Sequence, residues 1–158
     1  CKPGYIYCLC QTNDGRIWLG TDIGVIILSS TDFFTSDACL RLDFADEFGE
    51  TPLLTQTVNA LCQTNTGDIW IGTKERGVYV LNAEASQIKA HYTIDNSAMP
   101  NMNVLSLAYE EQQGIMFIGT SEGLVSYSQN GGGEGLMADE QSSATEMDEG
   151  TMQRWKLS

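Results

Sequence analysis

The sequence predicts an all-β fold: a partial β-propeller of about three four-stranded antiparallel blades, followed by a disordered acidic C-terminal segment. Three observations predict it. One unit recurs three times, as IYCLCQTNDGRIWLGT at 6–21, VNALCQTNTGDIWIGT at 58–73 and VLSLAYEEQQGIMFIGT at 104–120. Gly20, Gly72 and Gly119 correspond, so the period is about 50 residues, which is the length of a propeller blade. Each copy then runs through a polar turn to a glycine (Gly24, Gly77, Gly123) and an apolar stretch, Val25–Leu28, Val78–Leu81 and Leu124–Tyr127.

Within each unit the strands follow in order. The first alternates with the period of two that marks a strand. Ile6, Cys8 and Cys10 are placed on one face and Leu9 on the other; Val58, Ala60 and Cys62 oppose Leu61; Val104, Ser106 and Ala108 oppose Leu107. Asn13-Asp14-Gly15 and Asn65-Thr66-Gly67 form the hairpin turns, because Asn and Gly tolerate positive φ. The second strands are Ile17–Thr21, Ile69–Thr73 and Met116–Thr120, and the third begin at the later glycines. A fourth, outer strand is expected over Gln87–Thr93 in the second unit and Leu40–Phe44 in the first. The blades therefore span about 5–45, 57–94 and 103–128. Residues 129–152 are an acidic low-complexity linker or tail, and 153–158 are either a closing outer strand for the third blade or an unattached end.

Such units bury both faces only when stacked radially, which makes Trp18, Trp70 and Phe117 equivalent anchors between blades. Small residues at positions 8, 60 and 106, and at 10, 62 and 108, suit the crowded strand nearest the axis. Cys8, Cys10 and Cys62 are therefore read as buried fillers. No CxxC pair occurs and His91 is the single histidine, so neither a metal site nor a cofactor is expected. Cys1 fits either the acylated first residue of a lipoprotein or the start of a fragment. With no initiator Met or signal peptide, the chain is expected to be a processed product, an excised domain or a fragment.

Charge narrows the partners. Eight basic against 21 acidic residues give −13, which argues against nucleic acid, where clustered Lys and Arg are needed. No apolar run approaches the roughly 20 residues of a membrane helix.

The pattern V-x-x-L-x-x-x-x-x-G-x-I-W-I-G-T-x-x-x-G-V over Val58–Val78 resembles the two-component regulator propeller repeat. The third unit departs from it, with Phe117 for Trp and a turn one residue longer. That resemblance implies the periplasmic sensor region of a Bacteroidetes hybrid two-component protein, recognising a glycan or a protein. The segment from Asn96 to Tyr127 also resembles the last blade of a related surface propeller that supports type IX secretion. A periplasmic or cell-surface location follows from either likeness. No ligand residues carry over, since the motif consists of core and turn positions.

Catalysis is not expected. Asp14, Asp22, Glu75 and Glu122 are the candidate paired carboxylates of a glycosidase, but all read as turn residues. His91 is placed on a surface-facing outer strand, away from any partner for nucleophilic chemistry. The loops with most freedom to bind are 43–57, Lys74-Glu75-Arg76 and Ser121-Glu122. The expected function is a ligand-sensing segment; the alternatives are a secretion-associated scaffold and a piece of a carbohydrate-active enzyme. The expected partners are the remaining blades, of the same or another chain, and a glycan or protein ligand.

Overall fold

A computed structural model describes residues 2–29, 39–129, 138–141 and 150–157. Three antiparallel sheets follow one another along the chain. Blade 1 comprises β1 (Ile6–Gln11), β2 (Ile17–Thr21), β3 (Gly24–Leu28) and β4 (Leu40–Arg41). A single-turn helix, α1 (Pro52–Thr55), leads to blade 2: β5 (Val58–Gln63), β6 (Ile69–Thr73), β7 (Val78–Leu81) and β8 (Ile88–Tyr92). Blade 3 comprises β9 (Val104–Glu110), β10 (Ile115–Thr120) and β11 (Gly123–Ser128), joined on its outer side by β13 (Thr151–Trp155) and then β12 (Ala138–Gln141). β13 lies antiparallel to β11, with Tyr127 opposite Met152. The acidic stretch thus contributes β12 and the first residues of β13. Disorder was expected over 129–152; of these, 130–137 and 142–149 lie outside the described residues, as does Cys1.

The core lies between the sheets. Trp18, Val25 and Ile27 of blade 1 pack with Ile69, Ile71, Tyr79 and Leu81 of blade 2. Trp70, Val78 and Val80 of blade 2 pack with Met116, Ile118, Val125 and Tyr127 of blade 3. Each blade therefore covers the next, and the aromatic on the second strand fills the boundary. Phe117, the third such aromatic, lies beside Trp155 at 5.9 Å on the far face of blade 3. Three blades leave the ring open, since closed propellers hold about 4–8, so further blades complete the fold.

One expectation about the inner strands is corrected. Val58 was assigned to the face of Ala60 and Cys62, yet it packs with Leu61 against blade 1, whereas Cys62 packs toward blade 3. Val104 likewise shares a cluster with Leu107. Register shifts between Ile6 and Cys8, between Val58 and Ala60, and beside Thr120 explain it. An extra residue in one strand reverses which face the side chains beyond it occupy.

The 43–57 connection is pinned to blade 2. Asp46 Oδ1 accepts the N–H groups of Phe48 and Glu50 at 2.9 and 3.0 Å, which closes a tight turn. Its Oδ2 accepts the Tyr79 hydroxyl at 3.1 Å and lies 3.6 Å from Arg76. Arg76 also pairs with Glu50. Phe44 packs against the blade 1–2 core, although Phe48 stays exposed.

His91, expected on the surface, is only 2% exposed. Its ring stacks on Tyr79 at 3.9 Å. Nδ1 lies 2.5 Å from Glu47 Oε1, and Nε2 donates to the Arg76 carbonyl at 2.6 Å. The 43–57 connection, folded back over blade 2, is what buries it.

Burial pushes the Asp46 carboxyl up, but the Glu50 and Phe48 N–H groups, the Tyr79 hydroxyl and Arg76 outweigh it and hold it below the ordinary carboxylate value. A group depressed in the folded state contributes stability above its unfolded pKa and loses it as pH falls through the folded one. Stability should therefore decline on acidification below about pH 4, and Asp46→Asn should flatten part of that decline. It should also cost about 1.5–3 kcal/mol at neutral pH, the range for hydrogen bonds to a charged group. Urea midpoints measured across pH check both effects.

Candidate functional site

A cleft of about 330 Å³ lies between blades 2 and 3. The β5–β6 turn forms one wall and the longer β9–β10 turn the other. Sequence explains both. Thr64, Asn65, Thr66 and Gly67 make a compact hairpin, in which Gly67 N–H bonds the Thr64 carbonyl at 3.0 Å and the two threonine hydroxyls meet at 2.9 Å. Glu110 caps the second turn by accepting the N–H groups of Gln112 and Gln113 at 2.9 and 2.8 Å, and Gly114 closes it at φ 68°.

The floor is aromatic. Trp70 stacks on Tyr92 at 5.5 Å and meets Tyr127 at 5.0 Å. Tyr109 reaches across the blade boundary, its hydroxyl donating to Asn65 Oδ1 at 2.8 Å. Burial pushes its phenol up, so it remains a donor at neutral pH. Lys89 is held by Asp68 at 2.6 Å, and the rim adds amides, hydroxyls and the Glu111 carboxylate. The cleft thus sets aromatic side chains beside directional polar groups.

The four carboxylates considered for catalysis are not assembled. Asp14 occupies the β1–β2 turn, bound to the Thr12 hydroxyl at 2.5 Å and to Arg16 at 2.7 Å. Asp22 is at the opposite end of β2, where it accepts the N–H groups of Gly4 and Tyr5 at 3.0 and 3.2 Å. Glu122 accepts from Asn101 at 2.9 Å, and Glu75 is exposed on the β6–β7 turn. Asp22, Glu75 and Glu122 recur at one end of successive blades, away from the cleft.

Cys8 and Cys62 are free thiols that burial pushes up to about 11; Cys10 is raised for the same reason. All three are protonated and weakly nucleophilic at neutral pH. Cys39 is disulfide-bonded. Among the described residues no cluster of His, Cys, Asp and Glu has metal-binding geometry.

Residues 2–22 and 52–75 match the two-component regulator propeller family. These two segments are similar to the two-component regulator propeller repeat. The matched segments hold the first and second repeats; the third, with Phe117 and its longer turn, lies outside them. No curated protein matches the chain.

Among solved structures, PorZ of Porphyromonas gingivalis, described as an essential surface component of the type IX secretion system, superposes with a TM-score of 0.67 at 28% identity. The overlap covers 77% of this chain and 17% of PorZ. The extracellular domain of BT3049 of B. thetaiotaomicron, named as a hybrid two-component system, gives 0.64 at 24% identity over 79% of this chain and 16% of that one. The WD40 propeller of Doa1 gives 0.56 at 19% identity over 77% of this chain and 35% of that one. The last two likenesses show the fold. The chain thus spans about a sixth of the two regulator-type and secretion-type structures it resembles.

The cleft was not foreseen from the sequence, which pointed to loops 43–57, 74–76 and 121–122. Two signals mark it in retrospect: the longer third turn, and Tyr109 standing where the other repeats have Gln11 and Gln63.

Proposed function

We propose that this chain is a non-catalytic, extracytoplasmic propeller segment that senses a glycan or protein ligand as part of a two-component regulator, with the blade 2–3 cleft as its contact point for a glycan. The aromatic lining of Trp70, Tyr127 and Tyr109 beside a polar rim carries this reading. The engagement of Asp14, Asp22 and Glu122 in turn and loop contacts supports a role without catalysis. The Cys39 disulfide suits an oxidising compartment. No helix among the described residues is long and apolar enough to cross a membrane.

A second reading is favoured by the 28% identity to PorZ: a surface scaffold associated with type IX secretion. A glycan array followed by calorimetry separates the two. Sensing at the cleft predicts a glycan whose affinity falls about tenfold or more in Tyr109→Ala, the loss expected when about 1.4 kcal/mol of contact is removed. Failure of every glycan to bind, or binding unaffected by Tyr109→Ala and Asn65→Ala, contradicts it.

A further inference from the structure

Two acceptors flank the His91 ring. Nδ1 lies 2.5 Å from Glu47 Oε1, and Nε2 lies 2.6 Å from the Arg76 carbonyl oxygen. A backbone carbonyl carries no proton, and neither does an ionised carboxylate. A neutral imidazole has one N–H, so either tautomer would aim a ring lone pair at an oxygen. The arrangement therefore holds one proton more than a neutral histidine and an ionised glutamate bring to it. At 2% exposure the ring is cut off from solvent, so losing either partner leaves a buried polar atom unsatisfied.

The other charged groups near this proton come from each element packed there. The 43–57 connection adds Asp46 and Glu50, and the β6–β7 turn adds the Arg76 guanidinium, which pairs with both. Tyr79 of β7 stacks on the ring and donates its hydroxyl to Asp46. On β8 itself, Lys89 is held by Asp68. Asp46 lies below the ordinary carboxylate value. Burial and the Asp46 carboxylate push the Tyr79 phenol up. Burial pushes Arg76 down, but Glu50 and Asp46 outweigh it and hold it above its ordinary value. These three groups therefore keep their charges between about pH 5 and 8, the range in which histidine changes its own.

We propose that the 43–57 connection is a strap over blade 2 whose closure binds one proton at the His91–Glu47 contact, so that it is latched in mildly acidic solution and released as the pH rises. The sign follows from the proton count. The closed strap binds one proton more than the open one, so raising the pH favours the open form. Asp46 acts in the opposite sense, holding the same connection only while it is ionised. Both contacts are present together from about pH 4 up to the range of about 5–8 in which histidine gives up its proton. Release uncovers the Tyr79 and His91 rings beside the 74–76 loop, one of the segments with most freedom to bind.

Nuclear magnetic resonance on the full chain tests this, with nitrogen-15 in the ring of His91, the single histidine. Amide exchange at Phe48 and Glu50, whose N–H groups Asp46 accepts, reports whether the strap is closed. One bound proton shifts the equilibrium by up to about tenfold per pH unit. Protection of these two amides, corrected for the intrinsic rate, should fall at least about tenfold between about pH 5 and 8, in step with the ring nitrogen shifts. Amides of β6 should keep theirs. Glu47→Gln removes the need for the extra proton. Its side-chain amide donates to the neutral ring at Nδ1 while Nε2–H still serves Arg76. That variant should therefore stay protected at both pH values. Equal protection at both pH values in the unmodified chain overturns the inference. So does a loss with pH that persists in Glu47→Gln, or a strap unprotected in that variant at either pH.

Discussion

Replacing Trp70 by alanine is expected to cost about 3–5 kcal/mol of stability, the usual penalty for emptying a large aromatic site in a core. Trp70 is buried between blades 2 and 3 and touches both: Tyr92 belongs to its own sheet and Tyr127 to the next. Removing it leaves a void with rigid strands on either side, so the site cannot collapse without separating the blades. It also deletes the floor of the cleft. Urea unfolding measures the loss. A cost under about 1 kcal/mol, typical of a surface change, would show that Trp70 does not bridge the sheets.

The second large effect concerns Gly77. Its φ is 74°, a left-handed conformation that costs other residues about 1–2 kcal/mol. A Cβ there would also overlap the Tyr92 carbonyl oxygen, which is backbone and cannot swing aside. Gly77→Ala should therefore lose about 2–5 kcal/mol, strain plus overpacking. Gly15 separates the two contributions. Its φ is 85° but nothing lies within 4 Å of its Cβ position, so Gly15→Ala should lose only the strain. Equal losses at the two sites would mean that β7 and β8 do not press against this turn.

Much of the fold was legible because the repeat sets several physical constraints at once. Ile69-Trp70-Ile71 alternates between two blade boundaries, so its pattern announced a sheet buried on both faces. Asn65-Thr66-Gly67 announced the hairpin. The bulge near Val58 was not legible, since a single extra residue leaves the composition of the strand unchanged while reversing its faces. His91 was misjudged because its burial comes from Glu47 and its neighbours, which return to blade 2 over 44 residues of sequence. The cleft escaped notice for a similar reason: Asn65 and Tyr109 sit in different repeats and meet only once the blades stack. Turn and strand signals are local, whereas the site and the buried histidine are products of packing between units.

A double-mutant cycle across the boundaries tests the radial arrangement most directly. Trp70→Leu and Tyr127→Leu, whose rings lie 5.0 Å apart in neighbouring blades, should show a coupling of about 0.5–3 kcal/mol. Trp18→Leu and Tyr127→Leu, which belong to separate boundaries, should be additive within about 0.5 kcal/mol. Additivity at Trp70–Tyr127, or equal coupling in both pairs, would contradict sheets that shield one another only as nearest neighbours.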